Sequence, residues 1–223
     1  MFELESWRVK TLNREIGNNR TENKNRVKSL QAKTDRGEAT RQKLLTAAEE
    51  IFGTKGFHRA SIVEITLKAG VAQGTFYLYF QSKDKIFEEL VRELNHSLRC
   101  EISHAVSEVK SRQEAEEIGF GVFFAFIKEH RNLYRIVQEI QFVNEDLYKW
   151  YYTQFAEGYI EGLEKAMAAG EFRYLDPETV AYAFIGVAEF LGMRWVLWEK
   201  EDVPPKTLNT ALKLIMEGVL PRK

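Results

Sequence analysis

Residues 61–84 read SIVEITLKAGVAQGTFYLYFQSKD, and the fold is decided there. Ser61 can cap the free amides of a helix start, and Glu64 three residues on completes a capping box. Gly70 suits the left-handed residue that ends a helix. A short helix over about 72–79 follows, and Ser82 then caps a long helix running to about Val109. Two short helices joined at Ala69-Gly70-Val71 make a helix-turn-helix, in which the second helix enters the major groove of DNA. Ile62, Ile65, Val71, Phe76 and Phe80 can lock the pair together. Gln73, Gly74, Thr75, Tyr77 and Tyr79 are left to face outward, although Tyr77 also suits a partly buried place. Gln73 carries both donor and acceptor and can bond base edges. Gly74 allows close backbone approach, and Thr75, Tyr77, Tyr79 and Lys83 can hold phosphates.

Working outward, an amphipathic helix is predicted over 38–54, its inner face made of Leu44, Leu45, Ala48, Ile51 and Phe52, with Gly53 and Gly56 at its end. The combined pattern is Ala48-x3-Phe52-x3-Gly56-Phe57, then Ser61-Ile62-x2-Ile65. It continues as Ala69-Gly70-Val71-Ala72-x-Gly74-Thr75-Phe76-Tyr77-x-Tyr79-Phe80-x-Ser82-Lys83-Asp84. This pattern resembles the TetR (tetracycline repressor) family of bacterial transcriptional regulators and covers about a fifth of the chain. The resemblance implies an all-α fold, a homodimer, a palindromic double-stranded operator and a C-terminal domain that binds a small effector. It also implies that Gln73, Gly74 and Tyr77 lie closest to the bases, while Ser61, Thr75, Tyr79 and Lys83 grip phosphates. Ala60 stands where the family often has threonine, and Thr66 where a small apolar residue is usual.

Charge distribution agrees with a DNA reader near the N-terminus. Residues 1–85 hold 16 Lys/Arg against 10 Asp/Glu, a net of +6, while residues 86–223 hold 16 against 23, a net of −7. A basic part on an acidic remainder suits a polyanionic partner. Residues 1–37, with nine Lys/Arg against five Asp/Glu, are expected to form a polar tail that adds non-specific DNA affinity. They lack the apolar run of a secretory signal. With apolar residues at 44% and charged residues at 29%, the composition is that of a globular chain. Cys100 is the single cysteine, so an intramolecular disulfide is ruled out and a reducing, cytoplasmic setting fits. Val180–Trp198 is the one candidate membrane span. It contains Glu189 and Arg194, each costing roughly 2.5–3.5 kcal/mol at a bilayer centre, so the stretch reads as a buried helix and no membrane partner is expected.

The reader is expected over 38–83 and a helical effector-binding and dimerisation domain over 84–223. Within the latter, helices are predicted at 113–129, 131–142, 144–168, 177–200 and 205–219, because all four prolines fall at or beyond Pro177. Aromatic residues crowd 120–160. Any one of them serves as core, but as a set they point to an apolar cavity. Phe123, Phe126, Tyr134, Phe142, Tyr151, Phe155 and Phe184 are the candidate effector contacts, with Tyr134, Arg135, Glu139 and Asn144 as polar ones. The effector would be hydrophobic or amphipathic, such as an acyl chain or a flat aromatic. The helix at 177–200 is apolar nearly all round and, with the last helix, can build a two-fold dimer interface.

Enzyme chemistry has no signature here. There is no P-loop, nucleophile elbow or Cys/His cluster, and His58, His96, His104 and His130 are not spaced as metal ligands. No catalytic residue, metal or cofactor is expected. The alternative to a ligand-released repressor is an effector-independent, chromosome-organising DNA-binding protein.

Overall fold

The structure is a computed structural model that describes residues 35–220; residues 1–34 of the tail expected over 1–37 lie outside the described residues. Among the described residues there are helices and connections and no strand. Helix α1 spans residues 35–55, α2 Ile62–Ala69, α3 Gln73–Phe76 and α4 Lys83–Ala105. They are followed by α5 (Arg112–Glu129), α6 (Asn132–Val143), α7 (Glu145–Ala168), α8 (Pro177–Gly192) and α9 (Pro205–Val219). The chain parts into two compact units between Leu45 and Thr46.

Capping chemistry places the boundaries. The Ser61 hydroxyl accepts from the Glu64 amide, and the Glu64 carboxylate takes the Ser61 amide in return. Gly70 ends α2 at φ 68°, a left-handed conformation that costs glycine little. Ser82 caps α4, Ser111 α5, Asn144 α7 and Asp176 α8, each accepting a backbone amide three residues on. Asn144 was a candidate effector contact; the structure spends its side chain on the Leu147 amide instead.

Three expected helices change form. The short helix expected over about 72–79 ends at Phe76, and Tyr77–Tyr79 follow in a turn. The long helix stops at Ala105, four residues early, where the chain turns through Val106. The helix at 177–200 is α-helical only to Gly192. Met193–Glu199 then winds as a π-helix, which Lys200 closes at φ 61°. Along α4, Ile86, Phe87, Leu90, Val91, Leu94 and Leu98 are buried, while Ile102 and Ala105 in its last turn are only half-buried. Each of the buried side chains contributes about 1.5–3 kcal/mol on leaving water. Asn95 is buried beside them and donates to the Tyr151 carbonyl (3.1 Å), tying α4 to α7.

Candidate functional site

The helix-turn-helix is built on a small apolar lock. Ile65, Phe76 and Phe80 are buried, whereas Ile62 and Val71 are only half-buried. Thr66 is buried too, and its hydroxyl donates to the Val63 carbonyl (3.0 Å), so no polar atom is stranded there. Ala72, Gln73, Gly74, Tyr77 and Leu78 are exposed, and Thr75 and Tyr79 half-buried. No other group approaches Gly74, which leaves its backbone open to a large partner. Apart from Ala72 and Leu78, the outward face is formed by residues whose chemistry suits base edges and phosphates.

Two of the expected phosphate contacts are already engaged. The Ser61 hydroxyl donates to the Glu64 carboxylate (2.7 Å) while accepting the Glu64 amide. The Lys83 ammonium donates to the Phe57 and Ala60 carbonyls (2.8 and 3.1 Å) and lies over the Phe57 ring. Those carbonyls sit in the connection that precedes α2, so Lys83 holds the reader's shape. Replacing Lys83 by alanine is accordingly expected to cost about 1.5–3 kcal/mol of stability, the range for hydrogen bonds to a charged group. Thermal unfolding without DNA would read that loss, and a pure phosphate contact would leave it unchanged.

Between α4, α5, α6, α7 and α8 lies a cavity of about 390 Å³, within the range of small-molecule sites. Phe123, Tyr134, Tyr151, Phe155 and Phe184 line it, as the aromatic crowding suggested. Phe126 and Phe142 do not. Phe126 faces away and packs on His130 (4.5 Å between rings), and Phe142 stands 82% exposed. The stretch holds more rings than the cavity has wall: α5 spends Phe126 in the core, and α6 turns Phe142 to water.

The polar part of the wall was less legible. Glu116 is buried in it, with Arg112 Nε at 2.6 Å and the Tyr159 hydroxyl donating to its other oxygen. Burial raises the Glu116 carboxyl above its ordinary range, against the pull of Arg112 and Tyr159. Glu189 on α8 accepts the Tyr152 hydroxyl (2.5 Å), and burial raises its carboxyl also. Tyr134, Tyr151 and Tyr152 are each pushed up, first by burial and then by the Glu189 charge. Arg99 completes the charged set and donates to the Gln154 carbonyl (3.2 Å). Sequence reasoning missed Arg99, Arg112, Glu116 and Glu189 as wall residues. The available signal was Glu189, the one carboxylate inside the apolar stretch Val180–Trp198.

Comparison with known proteins places this geometry. Residues 44–90 match the family model described as bacterial regulatory proteins, tetR family. The uncharacterized HTH-type transcriptional regulator YdgC of Bacillus subtilis is 34% identical over 195 residues, which cover 84% of this chain and 96% of that protein. The chain belongs to the TetR family. The fatty acid metabolism regulator protein of Bacillus subtilis is 24% identical over 182 residues, covering 79% of this chain and 93% of its own. Two solved structures share the fold at 21% identity. The fatty acid degradation regulator FadR of Bacillus halodurans superposes with a TM-score of 0.72 over 78% of this chain and 93% of its own. The transcriptional regulator FadR of Bacillus subtilis, in complex with stearoyl-CoA, does so with 0.71 over 79% and 98%.

In this TetR-family chain, α6 touches both halves of the apparatus. Leu133, Tyr134 and Val137 line the cavity. Other faces of the helix and its start meet the end of α1. His130 Nδ1 lies 3.0 Å from Glu49, Arg135 donates to the Gly53 carbonyl (3.0 Å), and Glu139 accepts the Phe57 amide. Gly53 sits directly against the Asn132 side chain, where a β-carbon has no room. Arg135 and Glu139 were candidate effector contacts; the structure turns both toward the reader.

Proposed function

We propose that the protein is a cytoplasmic transcriptional regulator that binds a palindromic operator as a homodimer, and that a hydrophobic or amphipathic effector in the α4–α8 cavity releases it. The observation that carries this reading is α6, with one face on the cavity and another bolted to α1. An effector that prefers a displaced α6 shifts the equilibrium away from the DNA-binding arrangement by its differential affinity. The relatives named for fatty acid regulation, one solved with stearoyl-CoA, support an apolar chain as the body of the effector. The aromatic wall supports it independently.

Assembly follows from uncovered apolar surface. Phe190 on α8 is 68% exposed and Leu214 on α9 72%, with Tyr182 and Trp198 exposed as well. Pro177–Glu199 is long and apolar enough to cross a bilayer, but Val180, Ala181, Phe184 and Ala188 pack it into the helical bundle. A second copy covers the remaining face economically, because a two-fold axis makes one patch its own complement. Light scattering at micromolar concentration is expected to give twice 26.0 kDa; a monomer would contradict the dimer.

Within each half-site, Gln73 is assigned to base readout, with Gly74 and Tyr77 beside it and Thr75 and Tyr79 on phosphates. Gln73→Ala is expected to relax preference at one base pair per half-site by roughly 1–3 kcal/mol. Binding-site selection from a randomised pool checks it, and an unchanged preferred sequence would count against α3 as the reading helix.

A further inference from the structure

The two acids of the cavity wall, Glu116 buried and Glu189 half-buried, differ in their partners. Glu116 is balanced by Arg112 at 2.6 Å, whose guanidinium also lies over the Tyr159 ring. Glu189 has the Tyr152 hydroxyl, and no cation stands against it among the described residues. Tyr152 and Tyr159 are seven residues apart on α7, about 10 Å along its axis, so Arg112 is engaged well away from Glu189. Arg99, the other cation on the wall, is held on the Gln154 carbonyl. Around Glu189 stand three tyrosines. Tyr152 donates to its carboxylate, Tyr134 reaches its backbone carbonyl (3.4 Å), and Tyr151 feels its charge. Burying a carboxylate in an apolar wall is unfavourable unless a partner arrives. A carboxylate set among tyrosine side chains is a setting that suits a cationic nitrogen.

We propose that the Glu189 end of the cavity receives a cationic nitrogen, so that the effector is an amphipathic cation: an alkyl or flat aromatic body carrying a protonated amine or quaternary ammonium. The inference rests on the cavity being the effector site. The apolar body lies along Phe155, Phe184 and Phe123, and the ammonium takes the place of the missing partner of Glu189. Burial raises the Glu189 carboxyl, so a cation beside it favours the ionised form and releases a proton wherever the free protein holds one there. Affinity for the cation therefore rises with pH until Glu189 is ionised in the free protein.

The test uses the full chain and three twelve-carbon probes below their micellar concentrations: dodecyltrimethylammonium, dodecanol and dodecanoate. Calorimetric titration is expected to show the ammonium binding about tenfold or more tighter than dodecanol. Glu189→Gln keeps the shape and the Tyr152 contact. It should bring the two within about twofold, and a circular dichroism spectrum and melting temperature that match the parent show that the variant is folded. Dodecanoate binding tightest, with Arg99→Gln and not Glu189→Gln weakening it, would overturn the proposal in favour of an anionic head at Arg99, whose Nε is buried without a partner. Dodecanol and dodecanoate binding without the ammonium would refute the cation and leave the cavity as the effector site. No binding by any probe would remove both.

Discussion

Replacing Gly53 by alanine is expected to weaken operator binding by roughly 5–150-fold in the absence of any effector, the range of ordinary allosteric couplings. A β-carbon at position 53 collides with the side chain of Asn132, including its own β-carbon, which no rotamer change moves away. Either the end of α1 or the start of α6 must shift. The Arg135 bond to the Gly53 carbonyl and the Glu139 bond to the Phe57 amide are strained with it. Alanine is the better helix former by about 1 kcal/mol, which offsets part of the overpacking and keeps the helix intact. Circular dichroism should therefore match the parent while fluorescence anisotropy on operator DNA does not. Operator affinity within twofold of the parent, with the effector response intact, would show that the α1–α6 contact transmits nothing.

The largest stability loss is expected from Phe87→Ala. Phe87 is 1% exposed and meets Phe52 (5.1 Å between ring centroids) and Phe57 (4.8 Å), so it joins the base of α4 to the end of α1. Truncating a buried phenylalanine costs about 3–5 kcal/mol through lost transfer energy and the void left behind. For a chain of this length that lowers the melting temperature by roughly 6–20 °C. Differential scanning calorimetry reads it directly. A shift of only a degree or two would mean that the three rings repack around the gap.

The fold was legible because its punctuation is local. Ser61, Gly70, Ser82, Asn144 and Pro177 each mark a boundary by chemistry that needs no tertiary partner, and the structure places helix ends beside them. The π-turn at Met193–Glu199 carried no such mark and was read as more α-helix. The reader's outward face was legible for a related reason: exposure on a short helix follows from spacing once Phe76 and Phe80 are assigned to the core.

The cavity was legible in part. Aromatic density revealed that something apolar lies between α5 and α7, but density along the chain has no direction. Phe142 and Phe155 look alike in sequence, and only packing turns one to water and the other to the cavity. The roles of charged residues depend on distant partners. Lys83 and Ser61 read as phosphate ligands, but their neighbours in space are Phe57, Ala60 and Glu64. Arg135 and Glu139 read as effector contacts, yet they hold the end of α1 and the connection that follows it. Glu49 and His130, 81 residues apart, form a contact that no local pattern announces.

The central claim is that occupancy of the α4–α8 cavity changes DNA binding. The most direct measurement is fluorescence anisotropy of the protein on its selected operator, titrated with an amphipath already shown by calorimetry to bind the wild-type chain. The account predicts that the wild-type complex dissociates as the ligand fills the cavity. It predicts also that Gly53→Ala, measured at a protein concentration high enough to bind DNA, responds weakly or not at all. An operator affinity that stays constant through full ligand saturation of the wild type would contradict it.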